Sequence, residues 1–130
     1  MRIVVTGTFF SEGMGYTENC LPRALADLGH EVHVVCPNLH WYGNSPNYKE
    51  TYERFHGPAI QPVGTRQIHN FTLHLLPHKL VKGYVKTIGL VDKLVEIDAD
   101  IIQSTDVASI NAFQIAGAAI KFHGMKGVHR

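Results

Sequence analysis

Short apolar runs alternate with a helical pattern at the start of the chain. The run at 2–7 is rich in β-branched residues, which predicts a fully buried parallel strand. Residues 16–28 place apolar side chains at helical spacing, and Gly29 supplies a stop, so this segment is predicted to be a helix. A second buried strand is predicted at 32–36. The order strand, helix, strand predicts a β-α-β unit with a right-handed crossover.

The middle of the chain is less regular. Residues 37–57 show no clean period and predict a loop, with a short helical turn at 49–55. The aromatic side chains of this loop either cover the edge of the sheet or line a groove for a sugar or acceptor. Residues 59–63 and 71–75 predict two strands joined by a turn. The alternation within the second of them predicts that His74 lies on the surface.

The last third of the chain returns to clear patterns. It predicts a helix at 79–97, a buried strand at 101–104, an almost wholly apolar helix at 107–121 and the start of a strand at 128–130. Together these elements predict an α/β fold. We expect a Rossmann-like, doubly wound and mostly parallel sheet with helices on both faces.

Composition and charge narrow the function classes. The chain has 130 residues, of which 45% are hydrophobic and 18% charged, and its formal net charge is +1. One domain is expected at this length. No basic stripe, membrane-length apolar run or signal-peptide pattern is present in the sequence, so we expect no nucleic-acid partner and no transmembrane segment. Its two cysteines do not form a disulfide framework, which predicts a reduced, cytoplasmic protein.

The nine histidines do not form a metal-binding pattern. His30 and His33 are separated by a predicted turn, and Pro77 prevents a helix from aligning His74 with His78. Neither a zinc-protease motif nor paired C-x-x-C motifs are found. The sequence therefore predicts neither a bound metal nor another cofactor.

The turn after the first strand carries the candidate binding residues Gly13, Met14 and Gly15. Two glycines separated by one residue let backbone N–H groups approach a ligand, and the helix behind them favours phosphate. The alternative is that the glycines only satisfy a turn of positive φ. On the first interpretation, Gly15→Val abolishes activity with little effect on folding, while Gly43→Val in the next loop matters less.

Two segments resemble a known family. Residues 12–37 contain the glycine loop, an Arg-Ala-Leu-Ala helix, a Leu-Gly-His-Glu-Val turn and a closing proline. This segment resembles the N-terminal domain of glycosyltransferase family 4, the retaining enzymes of GT-B architecture. Residues 99–106 resemble the strand of that family that ends near the interdomain cleft. The resemblance implies that 1–130 is this acceptor-side domain, incomplete at its C-terminal end and lacking the donor-binding domain.

The resemblance also implies roles for single residues. The loop 13–15 would lie near the donor phosphate or the transferred sugar, and Ser104, Thr105 and Asp106 would lie at the cleft. Helix capping is the alternative role for these last three residues. The implied partners are a nucleotide-sugar donor and a sugar, lipid or other small acceptor, and contact with a membrane surface is compatible with them. No catalytic residue is identified in this segment, and we expect the chain alone to be inactive.

Two other classes remain open. A nicotinamide-dependent oxidoreductase usually carries G-x-G-x-x-G in this turn and an acidic ribose ligand after the second strand. Here Glu18 stands where the third glycine would be, and Cys36 and Pro37 stand where the acidic residue would be. A non-catalytic ligand-binding or interaction domain on the same fold is the other alternative, because a fold does not fix a function.

Overall fold

The computed structural model describes residues 1–82 and 84–105. In chain order the elements are β1 (Arg2–Thr6), α1 (Thr17–Asp27), β2 (Glu31–Pro37), α2 (Tyr48–Thr51), α3 (Glu53–His56), β3 (Gly64–Ile68), β4 (Phe71–Leu76), β5 (His78–Val81), β6 (Tyr84–Thr87), α4 (Leu90–Ile97) and β7 (Ile101–Ser104). Asp106, the predicted helix at 107–121 and the predicted strand at 128–130 lie outside the described residues.

A five-stranded sheet forms the centre of the described chain. Its strand order is β3-β4-β2-β1-β7, and β1, β2, β4 and β7 run parallel to one another. Strand β3 pairs antiparallel with β4 at one edge. Strands β5 and β6 form a separate antiparallel hairpin. The predicted α/β class with a mostly parallel sheet is thus confirmed.

Helices α1 and α4 pack against the sheet through alternate positions of β1. Ile3 and Val5 belong to the apolar cluster that contacts Leu21 and Leu25 of α1. Val4 belongs to a second cluster with buried side chains of α4. Because successive side chains of a strand point to opposite faces, the two helices cover opposite faces of the sheet. Each fully buried aliphatic side chain contributes roughly 1.5–3 kcal/mol.

The predicted helix at 79–97 is wrong over its first half. Residues 78–81 and 84–87 pair as the β5–β6 hairpin, and Lys82 has φ +51° after the first of these strands. Val85 and Thr87 are buried, whereas Tyr84 is 68% exposed, which is the alternation of a strand. Two glycines in the sequence of this segment weaken a helix by about 1 kcal/mol each. A hairpin that buries alternate residues is therefore more stable here than the predicted helix. The second half forms α4 as predicted.

Two predictions in the middle of the chain are also wrong. Residues 59–63 contribute only an isolated bridge between Ile60 and Leu39, because Pro58 and Pro62 have no N–H to donate to a ladder. His74 is 7% exposed rather than on the surface, since β4 lies inside the sheet with neighbours on both sides. The short helical turn predicted at 49–55 is confirmed by α2 and α3.

Candidate functional site

The carboxyl ends of the four parallel strands define one edge of the sheet. The loop 7–16 leaves β1 at this edge, and the loop 38–47 leaves β2 there. Strand β3 begins at the same edge because Gly64 pairs with Leu75 near the end of β4. Ligands of open α/β sheets bind at this edge, most often where the strand order reverses. The candidate functional site is therefore expected at this edge.

The strand order reverses between β1 and β7. The Thr105 hydroxyl donates to the Thr6 carbonyl at 2.9 Å and to Glu18 Oε1 at 3.1 Å. A Cβ placed on Gly7 would lie 2.7 Å from Glu18 Cγ, so only glycine fits between the strand and the helix. Glu18 is 5% exposed. The first turn of α1 is thus fastened to the end of β7 at the point where the strand order changes.

Thr6 adds a second polar feature at this point. Its Oγ1 atom is buried and has no hydrogen-bond partner among the described residues. Ser104 pairs with Thr6 in the β1–β7 ladder, so this predicted cleft residue lies directly beside it. Unsatisfied buried hydroxyls are uncommon and point to a ligand, a water or a further contact.

The predicted glycine loop has one residue in the left-handed region. Gly13 has φ +86°, and Met14 N–H donates to the Ser11 carbonyl at 3.3 Å, which closes a turn. Gly15 is outside that region, and a Cβ on it would meet no atom within 4 Å. The turn therefore requires glycine at position 13 only, and the open space at Gly15 is compatible with the approach of a ligand.

The structure does not support the expectation that Gly43→Val is milder than Gly15→Val. A Cβ on Gly43 would lie 2.8 Å from the His40 carbonyl oxygen and 2.9 Å from Leu39 Cγ. Valine at Gly43 would therefore disturb the loop 38–47 itself. It cannot serve as the mild comparison for Gly15.

Ser11 anchors the glycine loop to the loop after β2. Its buried hydroxyl accepts from Trp41 N–H at 2.9 Å and bonds His40 Nδ1 at 2.9 Å. Its carbonyl accepts from the Asn19 side chain at 2.9 Å. Gln61 Nε2 donates to the Phe10 carbonyl at 2.6 Å. Hydrogen bonds from the loop after β2, from α1 and from the segment before β3 thus hold the glycine loop in place.

A polar pocket of about 350 Å³ opens beside this anchor. His40 stacks on His56 at 5.3 Å between ring centroids, and Glu12 pairs with Arg66 at 3.6 Å. Burial, together with the charges of His56 and Arg66, lowers the pKa of His40 to about 4. His40 is therefore neutral at neutral pH and presents an uncharged ring. Apolar and amide side chains complete the lining: Phe55, Pro58, Ile60, Gln61 and Pro62.

An aromatic cluster lies next to the pocket and joins the two loops. Trp41 packs on Tyr16 at 4.4 Å and on Phe9 at 5.0 Å between ring centroids. Tyr42 stacks on Tyr52 at 4.5 Å, and its hydroxyl lies 2.6 Å from that of Tyr16. That hydroxyl contact is the main reason that the pKa of Tyr16 is raised. The rings pack on one another, which favours the interpretation that they cover the sheet edge.

A larger groove of about 600 Å³ runs between α1 and the β3–β4 hairpin. Gly13 and Met14 line it, together with Cys20, Arg23 and Asp27 of the helix. Ser104 and Thr105 lie instead at the end of β7, where Thr105 contacts Glu18 on another side of α1. The predicted residues thus occupy two neighbouring regions of one sheet edge, and Asp106 lies outside the described residues.

Several site residues were missed by the sequence reasoning. Ser11, His40, His56 and Arg66 are far apart in the chain and match no spacing motif. Glu18 was noted only as the residue that replaces a glycine. What these residues share is their position in the fold, because each lies in or next to a segment at the carboxyl edge of the sheet.

Comparison with models of protein families, with curated proteins and with solved structures found no match. Over residues 1–82 and 84–105, no helix is long and apolar enough to cross a membrane. The same residues contain no group of three His, Cys, Asp or Glu side chains arranged to hold a metal ion. Whether the activity is independent of metals and cofactors stays a prediction.

Proposed function

We propose that this chain is the N-terminal, acceptor-side domain of a retaining glycosyltransferase of GT-B architecture. The observation that carries the proposal is the loop 7–16. It leaves β1 at the carboxyl edge, turns at Gly13 with φ +86° and leads into α1. Helices on opposite faces of a mostly parallel sheet support a Rossmann-like, doubly wound arrangement. A cytoplasmic location belongs to the same proposal.

The loop suits the chemistry of sugar transfer. Transfer from a nucleotide sugar builds negative charge on the departing phosphate, and fixed N–H donors stabilise such charge. In this proposal Gly13 and Gly15 turn backbone N–H groups toward the donor on either side of Met14, whose N–H closes the turn on the Ser11 carbonyl. Ser104 and Thr105 lie at the cleft, and the same role is proposed for Asp106, which is outside the described residues. A second domain supplies most of the donor site.

Arg66 can add a cation to this arrangement. Its partner Glu12 lies within the loop, and the side chains of the pair are 45% and 63% exposed. An exposed pair of this kind contributes only about 0–1 kcal/mol, so a phosphate can replace Glu12 at little cost. Neutral His40 then offers a ring nitrogen to a sugar hydroxyl in the same pocket.

A melting experiment on the full gene product tests the proposal. Its transition is measured with a panel of nucleotide sugars, with NAD and with NADP. A ligand at 100 times its Kd stabilises the folded protein by about 2.7 kcal/mol. We expect protection by one nucleotide sugar, and we expect Arg66→Ala to weaken it. The exposed Arg54, changed to alanine, provides the matched control.

Three outcomes contradict the proposal. Protection by NAD or NADP alone would indicate an oxidoreductase, although buried Cys36 and Pro37 end β2 where that class places a carboxylate. Absence of protection by every ligand would favour a non-catalytic interaction domain. Turnover by the 130-residue chain alone would show that no donor domain is needed.

A further inference from the structure

A row of hydrogen-bonded side chains crosses three strands of the sheet, away from the glycine loop. Thr65 Oγ1 lies 3.0 Å from His74 Nδ1, and His74 Nε2 lies 2.8 Å from His33 Nδ1. His33 Nε2 lies 2.7 Å from Glu31 Oε2, and Arg2 Nε donates to the same oxygen at 2.8 Å. A hydroxyl is therefore connected to a carboxylate through two imidazole rings.

Strand register accounts for this row. Thr65 and His74 are directly opposed in the antiparallel β3–β4 pair, which brings their side chains together on one face. His33 on β2 is opposite Thr72, so it reaches His74 diagonally. Glu31 lies two residues before His33 and shares its face, because side chains of a strand alternate. The row thus follows from the pairing of three strands.

The bonds determine where the protons lie when both rings are neutral. Glu31 accepts only, so His33 carries its hydrogen on Nε2 and offers a lone pair at Nδ1. His74 must then donate from Nε2, which leaves a lone pair at its Nδ1. The Thr65 hydroxyl therefore donates to His74. In this state each O–H or N–H of the row donates to the next member, and Glu31 accepts the last of these bonds.

The row has the components of an activated nucleophile. Such sites contain a hydroxyl within hydrogen-bond reach of a base, and a third group that orients the base. His74 is 7% exposed, while Thr65 is exposed on the edge strand. Burial and the nearby His33 lower the pKa of His74 to about 4, so at neutral pH the ring is uncharged and its Nδ1 carries a lone pair, although it is a weaker base than free imidazole.

We propose that Thr65 is a nucleophile that takes an acyl group from an activated ester or thioester. Thr65 Oγ1 attacks the carbonyl carbon while its proton passes to His74 Nδ1. His74 releases its Nε2 proton to His33, which becomes an imidazolium beside Glu31. The bond to the leaving alcohol or thiol then breaks. That group takes the proton back through His74, and the threonine ester remains.

A small pocket of about 190 Å³ borders Thr65, with Pro62, Val63 and Leu75 in its lining. Leu75 follows His74 in β4, so its side chain is on the opposite face of the sheet and the pocket does not define the acyl group. A short acyl chain is used in the test because it needs the least space at the exposed edge strand. The reaction is a self-acylation that is independent of the proposed sugar transfer.

The test uses p-nitrophenyl acetate and the 130-residue chain. Release of p-nitrophenolate is followed by absorbance, and the acetylated residue is located by peptide mass spectrometry. We expect one acetyl group on Thr65, no label there in Thr65→Val and retained labelling in Thr65→Ser. His33→Gln keeps the Thr65–His74 bond and breaks the row. We expect it to slow labelling by about 100-fold or more and to change its pH profile.

Two controls separate chemistry from folding and from background reactivity. Thr51→Val changes another exposed threonine outside the row and should leave the rate unchanged. Circular dichroism checks that every variant is folded. Acetylation spread over exposed lysines, with the same rate in Thr65→Val and His33→Gln, would overturn the proposal. A label on Thr65 whose rate does not depend on His33 would overturn the role of the row.

Discussion

The Thr105 hydroxyl lies 3.1 Å from Glu18 Oε1, although the two residues are 87 positions apart in the chain. The same hydroxyl donates to the Thr6 carbonyl. These bonds connect the start of α1 with the ends of β1 and β7, which are the elements around the candidate site. The position of α1 relative to the sheet therefore depends on a contact that closes only when β7 is in place.

Thr105→Val should destabilise the chain. The substitution removes a donor from the buried Glu18 carboxylate, whereas the Thr6 carbonyl still accepts from the Thr105 N–H at 3.0 Å. The loss of a hydrogen bond to a buried carboxylate costs about 1–3 kcal/mol. The midpoint of urea unfolding measures the effect, with Thr51→Val in α2 as the control. Equal midpoints for the two variants would show that the bond contributes nothing.

Alanine should have opposite effects at the two loop glycines. Gly13→Ala places a side chain at φ +86° and should destabilise by about 1 kcal/mol or more. Gly15→Ala meets no atom within 4 Å and removes freedom from the unfolded chain, so it should be neutral or stabilise by about 0.4–1 kcal/mol. The melting temperatures of the two variants test this prediction. A lower melting temperature for Gly15→Ala than for Gly13→Ala would contradict the loop conformation.

Under the proposed glycosyltransferase function, Gly15→Val should separate folding from activity in the full gene product. The added methyl groups fill the open space through which a donor would approach, and the loss of an oriented donor group can cost about 100-fold or more in kcat. Exposed Thr51→Val on α2, which lines neither the groove nor the polar pocket, replaces the unsuitable Gly43→Val as the control. Wild-type turnover with Gly15→Val would mean that the loop is only a structural turn.

Stability should fall as the pH falls from about 6.5 toward 4. Burial lowers the pKa of His40 and of His74 from 6.5 to about 4 in the folded protein. In this window the unfolded chain binds protons that the folded chain does not, so acid favours unfolding. His33, Lys93 and Glu96 are the charged or titratable groups that act on His74.

The size of this effect is limited by solvent screening to about 1–2 kcal/mol for each histidine. Urea unfolding at several pH values between 4 and 7 measures it. His74→Gln should flatten part of the dependence, whereas Thr51→Val, which removes no titratable group, should not. A stability that is constant over this range would contradict the burial of both rings.

The first half of the fold could be predicted because its signals are local. Three segments combine a clear hydrophobic pattern with a residue that ends the element: the strand at 2–7, the helix at 16–28 and the strand at 32–36. All three form in the structure, with boundaries shifted by about one residue. The strand at 71–75 was found in the same way. Local pattern and long-range packing agree in these segments.

The errors arise where a local pattern competes with a distant partner. Leu80, Tyr84 and Ile88 have helical spacing, but Val85 and Thr87 gain more by burial, so the hairpin forms. His74 alternates like a half-exposed position, yet β3 and β2 flank its strand. The Ser11–His40 pair is 29 residues apart, and no spacing rule relates its members. Sites assembled by strand pairing are therefore hidden until the strand order is known.

The position of β1 between β2 and β7 has a consequence for synthesis of the protein. Its two neighbours are β2, which follows closely, and β7, which lies about a hundred residues later. At roughly 5–20 residues per second, the second neighbour emerges from the ribosome roughly 5–20 s after the first strand. During that interval β1 presents an unpaired apolar edge, the feature that recruits other chains. The nascent chain therefore exposes a strand edge that can pair with other chains until β7 arrives.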